Sequence, residues 1–165
     1  MKKIVCSLLA IFLATFVFAQ SSTTSEPDIF GNVITIHKDA YGRVIGTSIT
    51  GQPDILGYTT TIHKDADGRE IGRSTTGQPD ILGYTTTTYR DADGRNVGTS
   101  TTTGQPDILG YTTTTYRDAD GRNIGTSSTG QPDIFGRTTT TYRDADGRST
   151  GVSATGQPVV SENSK

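Results

Sequence analysis

The residues of this chain best suited to chemistry come in copies. Asp91 and Asp93 stand two apart ahead of Gly94, and the pair returns as Asp118/Asp120 and Asp144/Asp146, with an earlier copy at Asp65/Asp67. Two carboxylates at i and i+2 before a glycine form a fragment of a calcium loop. A complete loop gathers about six to eight oxygens, including a third acidic position and a later bidentate Glu. Here an Arg follows each glycine and no acidic residue stands at a fitting distance. The stronger reading is a hairpin turn, in which Asp caps the backbone locally. No cofactor is therefore expected, with Ca2+ as the alternative.

A second set pairs an aromatic with a cation. Tyr89, Tyr116 and Tyr142 are followed directly by Arg90, Arg117 and Arg143. Tyrosine rings stack on sugars and arginines hold anionic groups, so the rows suit multivalent contact with a polymer such as a glycan. The competing reading is cross-strand packing of the rings and salt bridges between each Arg and its neighbouring Asp. His37 and His63, the only histidines, fill the tyrosine slot in the first two copies. They are candidates to share a metal, though two ligands alone make a thin site. Threonine runs at 85–88, 112–115 and 138–141 suggest an ice-binding hydroxyl array, since alternate residues on a strand lie about 6.8 Å apart. In a hairpin meander the return strands would separate those rows by two strand spacings. Enzymatic work needs a nucleophile, a base and an orienting group in one cleft. Near-identical copies offer no such unique set, and no enzyme is expected.

The copies belong to tandem repeats. The six prolines, Pro27, Pro53, Pro79, Pro106, Pro132 and Pro158, are spaced 26, 26, 27, 26 and 26 residues apart, the longer interval coming from an extra Thr at 101–103. Residues 27–157 hold five repeats, 20–26 a flexible lead-in and 158–165 a polar tail. In the third repeat, 85–89 is β-branched and aromatic, Asp93-Gly94 marks a type I′ hairpin turn, and 95–102 returns. Gly104-Gln105-Pro106-Asp107 supplies a second turn. One face of the return strand would carry the column Ile45, Ile71, Val97, Ile124 as a core, joined by the connector pairs Ile55-Leu56, Ile81-Leu82, Ile108-Leu109 and Ile134-Phe135. The following column of Gly46, Gly72, Gly98 and Gly125 suggests that another backbone approaches closely. The expected fold is all-β: tandem antiparallel β-hairpin repeats forming a meander sheet of about ten strands or a barrel-like roll, with a β-solenoid as the alternative. One repeat cannot fold alone, so repeats must add strands to one another. The first repeat, the most apolar, is expected to be the better-packed end.

The segment Tyr89-Arg90-Asp91-Ala92-Asp93-Gly94-Arg95 resembles the Y-x-D-x-x-G-R heart of the YD repeats of Rhs-type surface and toxin proteins. Residues 116–122 and 142–148 match it equally. The first two repeats depart from it, with His in place of Tyr, and Tyr41 replaces the second Asp in the first. The resemblance implies antiparallel strand repeats on an exported protein, with carbohydrate contact. The Gly-Arg and Gly-Thr-Ser hairpins are also similar to those of small uncharacterised secreted bacterial repeat proteins.

Composition fits these readings. Residues 1–19 carry Lys2 and Lys3, an apolar stretch from 4 to 18, and small residues at Val17 and Ala19. This is the pattern of a secretory signal peptide cleaved near Ala19/Gln20, so the chain is expected to be secreted, periplasmic or at the cell surface. The apolar run is short for a transmembrane anchor. The only cysteine, Cys6, lies inside it. Thereafter the chain is rich in threonine and glycine, poor in large apolar residues and mildly acidic. That balance excludes a helical bundle, a disulfide-stapled domain and a basic nucleic-acid binder. Open sheet edges would favour self-association.

Overall fold

The computed structural model describes residues 21–155. The stretch expected to be a signal peptide, its expected cleavage site and the expected polar tail lie outside the described residues. Eleven strands form one antiparallel sheet whose spatial order is the order of the chain: β1 (Ser21–Thr24), β2 (Val33–Lys38), β3 (Val44–Thr50), β4 (Thr59–Asp65), β5 (Glu70–Thr76), β6 (Thr85–Asp91), β7 (Asn96–Thr102), β8 (Thr112–Asp118), β9 (Asn123–Thr129), β10 (Thr138–Asp144) and β11 (Ser149–Thr155). β1 and β11 are not paired with each other, so the sheet is open. Of the expected architectures it is the meander, neither a closed barrel nor a solenoid.

The count exceeds ten because the stretch expected as a lead-in carries β1, which pairs with β2. Each repeat is one hairpin. Within every hairpin the register slips beside the His or Tyr: Tyr89 faces Gly98, whereas Arg90 faces Asn96. Val97 is thus an extra residue, a β-bulge that raises local twist. Ile45, Ile71, Ile124 and Thr150 hold the same place in the other hairpins.

The expected apolar core is not a face of the sheet. Of the column Ile45, Ile71, Val97 and Ile124, only Val97 is buried, at 4% exposure. The connector isoleucines, leucines and phenylalanines stand exposed along one edge. The first repeat is not better packed, since Ile34, Tyr41 and Val44 are all exposed. The buried residues are instead small or polar: Ser48, His63, Ser74, Ser100 and Ser127, with Gly46, Gly72, Gly98 and Gly125.

Glycine explains the tightest of these contacts. A Cβ on Gly46 would lie 2.7 Å from the carbonyl oxygen of Lys64, and one on Gly125 2.5 Å from that of Arg143. The backbone that approaches, as the glycine column suggested, is the next forward strand.

Candidate functional site

The turns at both ends of the strands, which line an acidic edge and an apolar edge running across the strands, are built by one local device. At the acidic edge, Asp91 N–H donates to Arg95 O (3.0 Å) and Gly94 N–H donates to Asp91 O (3.0 Å). At the apolar edge, Asp80 N–H donates to Tyr84 O (2.9 Å) and Gly83 N–H donates to Asp80 O (2.8 Å). Asp-Ala-Asp-Gly-Arg and Asp-Ile-Leu-Gly-Tyr are therefore the same Asp-x-x-Gly-x turn. It is a three-residue loop in which only the glycine needs positive φ, 80° at Gly94 and 83° at Gly83. The expected two-residue type I′ loop is replaced because the first Asp already fixes the turn. Its Oδ1 accepts N–H bonds from two and four residues on: Asp118 from Asp120 (3.0 Å) and Arg122 (2.9 Å), Asp144 from Asp146 (3.0 Å) and Arg148 (2.8 Å). The backbone N–H groups of Asn32 and Arg137 hold Asp28 and Asp133 below the ordinary carboxylate range.

That arrangement occupies the carboxylates considered for calcium. Asp91 accepts Arg95 N–H at 2.9 Å. The second Asp of each pair faces the Arg two residues on: Asp93 meets Arg95, Asp120 meets Arg122, and Asp146 meets Arg148 at 2.6 Å. Among the described residues no group of three or more His, Cys, Asp or Glu converges as a metal set would.

The two faces of the sheet differ. On one, the aromatic column lies over the Gly and Ser columns. Tyr89, Tyr116 and Tyr142 each share a hydrogen bond with a serine: Ser100 at 3.1 Å, Ser127 at 3.2 Å and Ser153 at 3.4 Å. Burial raises the pKa of Tyr116. Toward the N-terminal end the column is a polar chain. His37 Nε2 meets Ser48 Oγ at 2.8 Å, Ser48 Oγ meets His63 Nδ1 at 3.1 Å, and His63 Nε2 meets Ser74 Oγ at 2.9 Å. The histidines are therefore bridged by a serine rather than gathered round one point. Burial, reinforced by the charge of His37, lowers the pKa of His63 to about 4. Threonine pairs run beside this column, including Thr50 with Thr61 at 3.0 Å and Thr76 with Thr87 at 2.8 Å.

Arg90, Arg117 and Arg143 lie on the opposite face, because successive strand residues alternate. The paired Tyr and Arg rows thus never meet one ligand together. Arg90 and Arg143 reach the carbonyl oxygens of Gly94 and Gly147 at 3.0 and 3.1 Å. On β2 to β5 this second face also carries Ile34, Ile36, Ile49, Ile62 and Arg73, whereas from β6 to β9 it is mostly threonine. Thr86 pairs with Thr101, Thr101 with Thr115, and Thr115 with Thr126, so hydroxyls stand on consecutive strands β6 to β9. The expected gap of two strand spacings is absent, since the return strands carry threonine on this face too.

At the apolar end of the threonine face lies a groove of about 400 Å³. Tyr58 and Tyr84, 46% and 39% exposed, flank it. Thr75 and its cross-strand partner Thr88 contribute hydroxyls, joined by the Gln78 amide and the Asp80 carboxylate. Tyr58 leans on the next connector, where a Cβ on Gly77 would lie 3.2 Å from its Cε1; Tyr111 stands in the same relation to Gly130. The extra threonine of the third repeat breaks the series, bringing Gly104 against the Gly83 carbonyl instead. Sequence reasoning passed over Tyr58, Tyr84 and Tyr111. The usable signal was the recurrence of tyrosine after Ile-Leu-Gly, at the place where Arg follows Ala-Asp-Gly. No family model, curated protein or solved structure matches this chain.

Proposed function

We propose that the chain is an exported, non-catalytic repeat module that holds an extracellular polymer, a glycan, against its threonine face. The observation that carries this reading is the Tyr58–Tyr84 groove. Two half-exposed aromatic rings beside hydroxyl, amide and carboxylate groups offer stacking surfaces together with both donors and acceptors, and the volume falls in the range of small-ligand pockets. The like-disposed Tyr111, the threonine rows and the arginines extend the same face, so a polymer crossing the strands would meet equivalent groups about every 9–10 Å. Multivalent contact of that kind raises avidity without strong single sites. The likeness to YD repeats agrees with carbohydrate contact, and the leader with export.

The test is a panel of soluble and insoluble polysaccharides, with affinities measured for variants. Tyr58→Ala and Tyr84→Ala are expected to weaken binding by about tenfold each, roughly the worth of one aromatic contact. Tyr116→Ala should leave affinity unchanged while lowering the melting temperature. No binding across the panel, or unchanged affinity in both groove variants, would overturn the proposal.

A second reading rests on threonines standing on every strand from β6 to β9. A regular hydroxyl lattice of this kind suits ice. Thermal hysteresis that disappears in Thr101→Tyr and Thr115→Tyr would establish it; the absence of hysteresis in the unaltered chain would remove it.

A further inference from the structure

Inside the chain one strand-to-strand joint is repeated. Each return strand meets the next forward strand in the same register, with Ser48 opposite His63, Ser74 opposite Tyr89, Ser100 opposite Tyr116 and Ser127 opposite Tyr142. β1 imitates that joint at the start of the sheet. Ser22 stands opposite His37, and Thr24 meets Thr35 at 3.3 Å as Thr50 meets Thr61 at 3.0 Å. β1 has only four residues, against seven in β3, β5, β7 and β9. At the other end β11 is also a full seven-residue return strand, and among the described residues it pairs with β10 alone. Its sequence, Ser-Thr-Gly-Val-Ser-Ala-Thr, has none of the charges or prolines that protect natural sheet edges.

We infer that β11 of one copy adds to β2 of a second copy in place of β1, so that chains join head to tail and continue the meander. The register follows from the internal joints: Ser153 of one copy would face His37 of the other, with Val152 opposite Lys38 and Ala154 opposite Ile36. Ser153 would then lie between an aromatic of its own hairpin and one of the next, as Ser48 lies between His37 and His63. The outward amides of β11 are also fixed by the repeat. Gly130 N–H donates to Thr139 O in β10 at 3.0 Å. By strand alternation Ser128 and Thr126 face the same way, and Ala154 and Val152 are their equivalents one repeat on. Such an interface is heterologous, so it propagates from copy to copy instead of ending at a pair.

Sedimentation velocity of the full chain over a wide concentration range tests this. The expected result is a series of oligomers that lengthens with concentration. Ala154→Pro removes an outward amide and leaves the β10 ladder intact, so it should lower the assembled fraction by about tenfold. Thr23→Pro should raise it. Ser25 N–H donates to Ile34 O at 2.8 Å, so by alternation the Thr23 amide faces β2, and its loss weakens the strand to be displaced. Register is read separately by oxidation of Val152→Cys with Lys38→Cys in a Cys6→Ser background. That pair should give covalent multimers, and Val152→Cys with Ile36→Cys should not. A chain monomeric at every concentration, assembly indifferent to Ala154→Pro while its melt remains native-like, or preferential cross-linking through position 36 would each overturn the inference. Should Ala154→Pro fail to fold, the cysteine pairs decide.

Discussion

At the scale of single residues, two aspartates that look alike in sequence do different work. The first Asp of each Asp-Ala-Asp-Gly turn accepts backbone N–H bonds that would otherwise go unmet, as Asp91 does from Arg95. The second is solvent-facing and meets only an exposed arginine, as Asp93 meets Arg95. Asp91→Ala should therefore cost about 1 kcal/mol in chemical denaturation, whereas Asp93→Ala should cost nothing measurable. His63 gives a second contrast. Its pKa falls from the ordinary histidine value to about 4 on folding, so between those limits the unfolded chain binds the proton and the folded chain does not. Stability is thus complete above about pH 6.5 and declines as pH drops toward 4, by up to about 3 kcal/mol. The later repeats carry tyrosine in this column, with its hydroxyl on the equivalent serine. His63→Tyr should therefore flatten that decline, as read from melting temperatures between pH 7 and 4. An unchanged slope would place the acid sensitivity elsewhere.

At the scale of elements, the repeat, the hairpins and the meander were legible because proline spacing, β-branched runs and Asp-Gly pairs are local signals. The contents of the core were not. Ile81 and Leu82 were expected to join an apolar face because large apolar residues are usually buried, yet Leu82 is 72% exposed and Ile81 wholly so. The turn that displays them is specified by Asp80 and Gly83, and nothing in its chemistry requires the two intervening residues to face inward. Ile81→Ser and Leu82→Ser should accordingly leave the melting temperature nearly unchanged, since Ile81 buries no surface and Leu82 only a minor part of its own. The Tyr and Arg rows are divided between the two faces for a related reason. Tyr89-Arg90 reads as one motif along the chain, but strand alternation sends its members to opposite faces. Tyr58 and Tyr84 were invisible as a pair because their closeness depends on the register across three hairpin ends. The same turn geometry bears on calcium: carboxylates already bonded to backbone amides and arginines are poorly placed to rearrange around a cation. The melt should be indifferent to calcium and to chelator, and a rise of several degrees in calcium would reverse that assignment.

At the scale of the whole molecule, stability must come from neighbour-to-neighbour contact, because a single sheet layer has no second layer to bury against. Among the described residues Val97 is the one buried apolar side chain of the sheet. The other recurring contacts are cross-strand pairs of tyrosine, serine, threonine and glycine, each of modest worth. Among the described residues each strand is hydrogen-bonded only to the strands beside it in the chain. This predicts an unusual tolerance. Removing residues 54–79 excises one complete 26-residue repeat and rejoins Pro53 to Asp80, restoring the Gln-Pro-Asp connector. In a domain organised round one core, a deletion of that size abolishes folding. Here the shortened chain should keep a β-type circular dichroism spectrum and a single unfolding transition, with a denaturant slope lower by about one fifth, in proportion to the surface no longer buried. It also loses His63, so its acid sensitivity should fall alongside. Loss of the cooperative transition would mean that the repeats are coupled over longer range than the strand order implies.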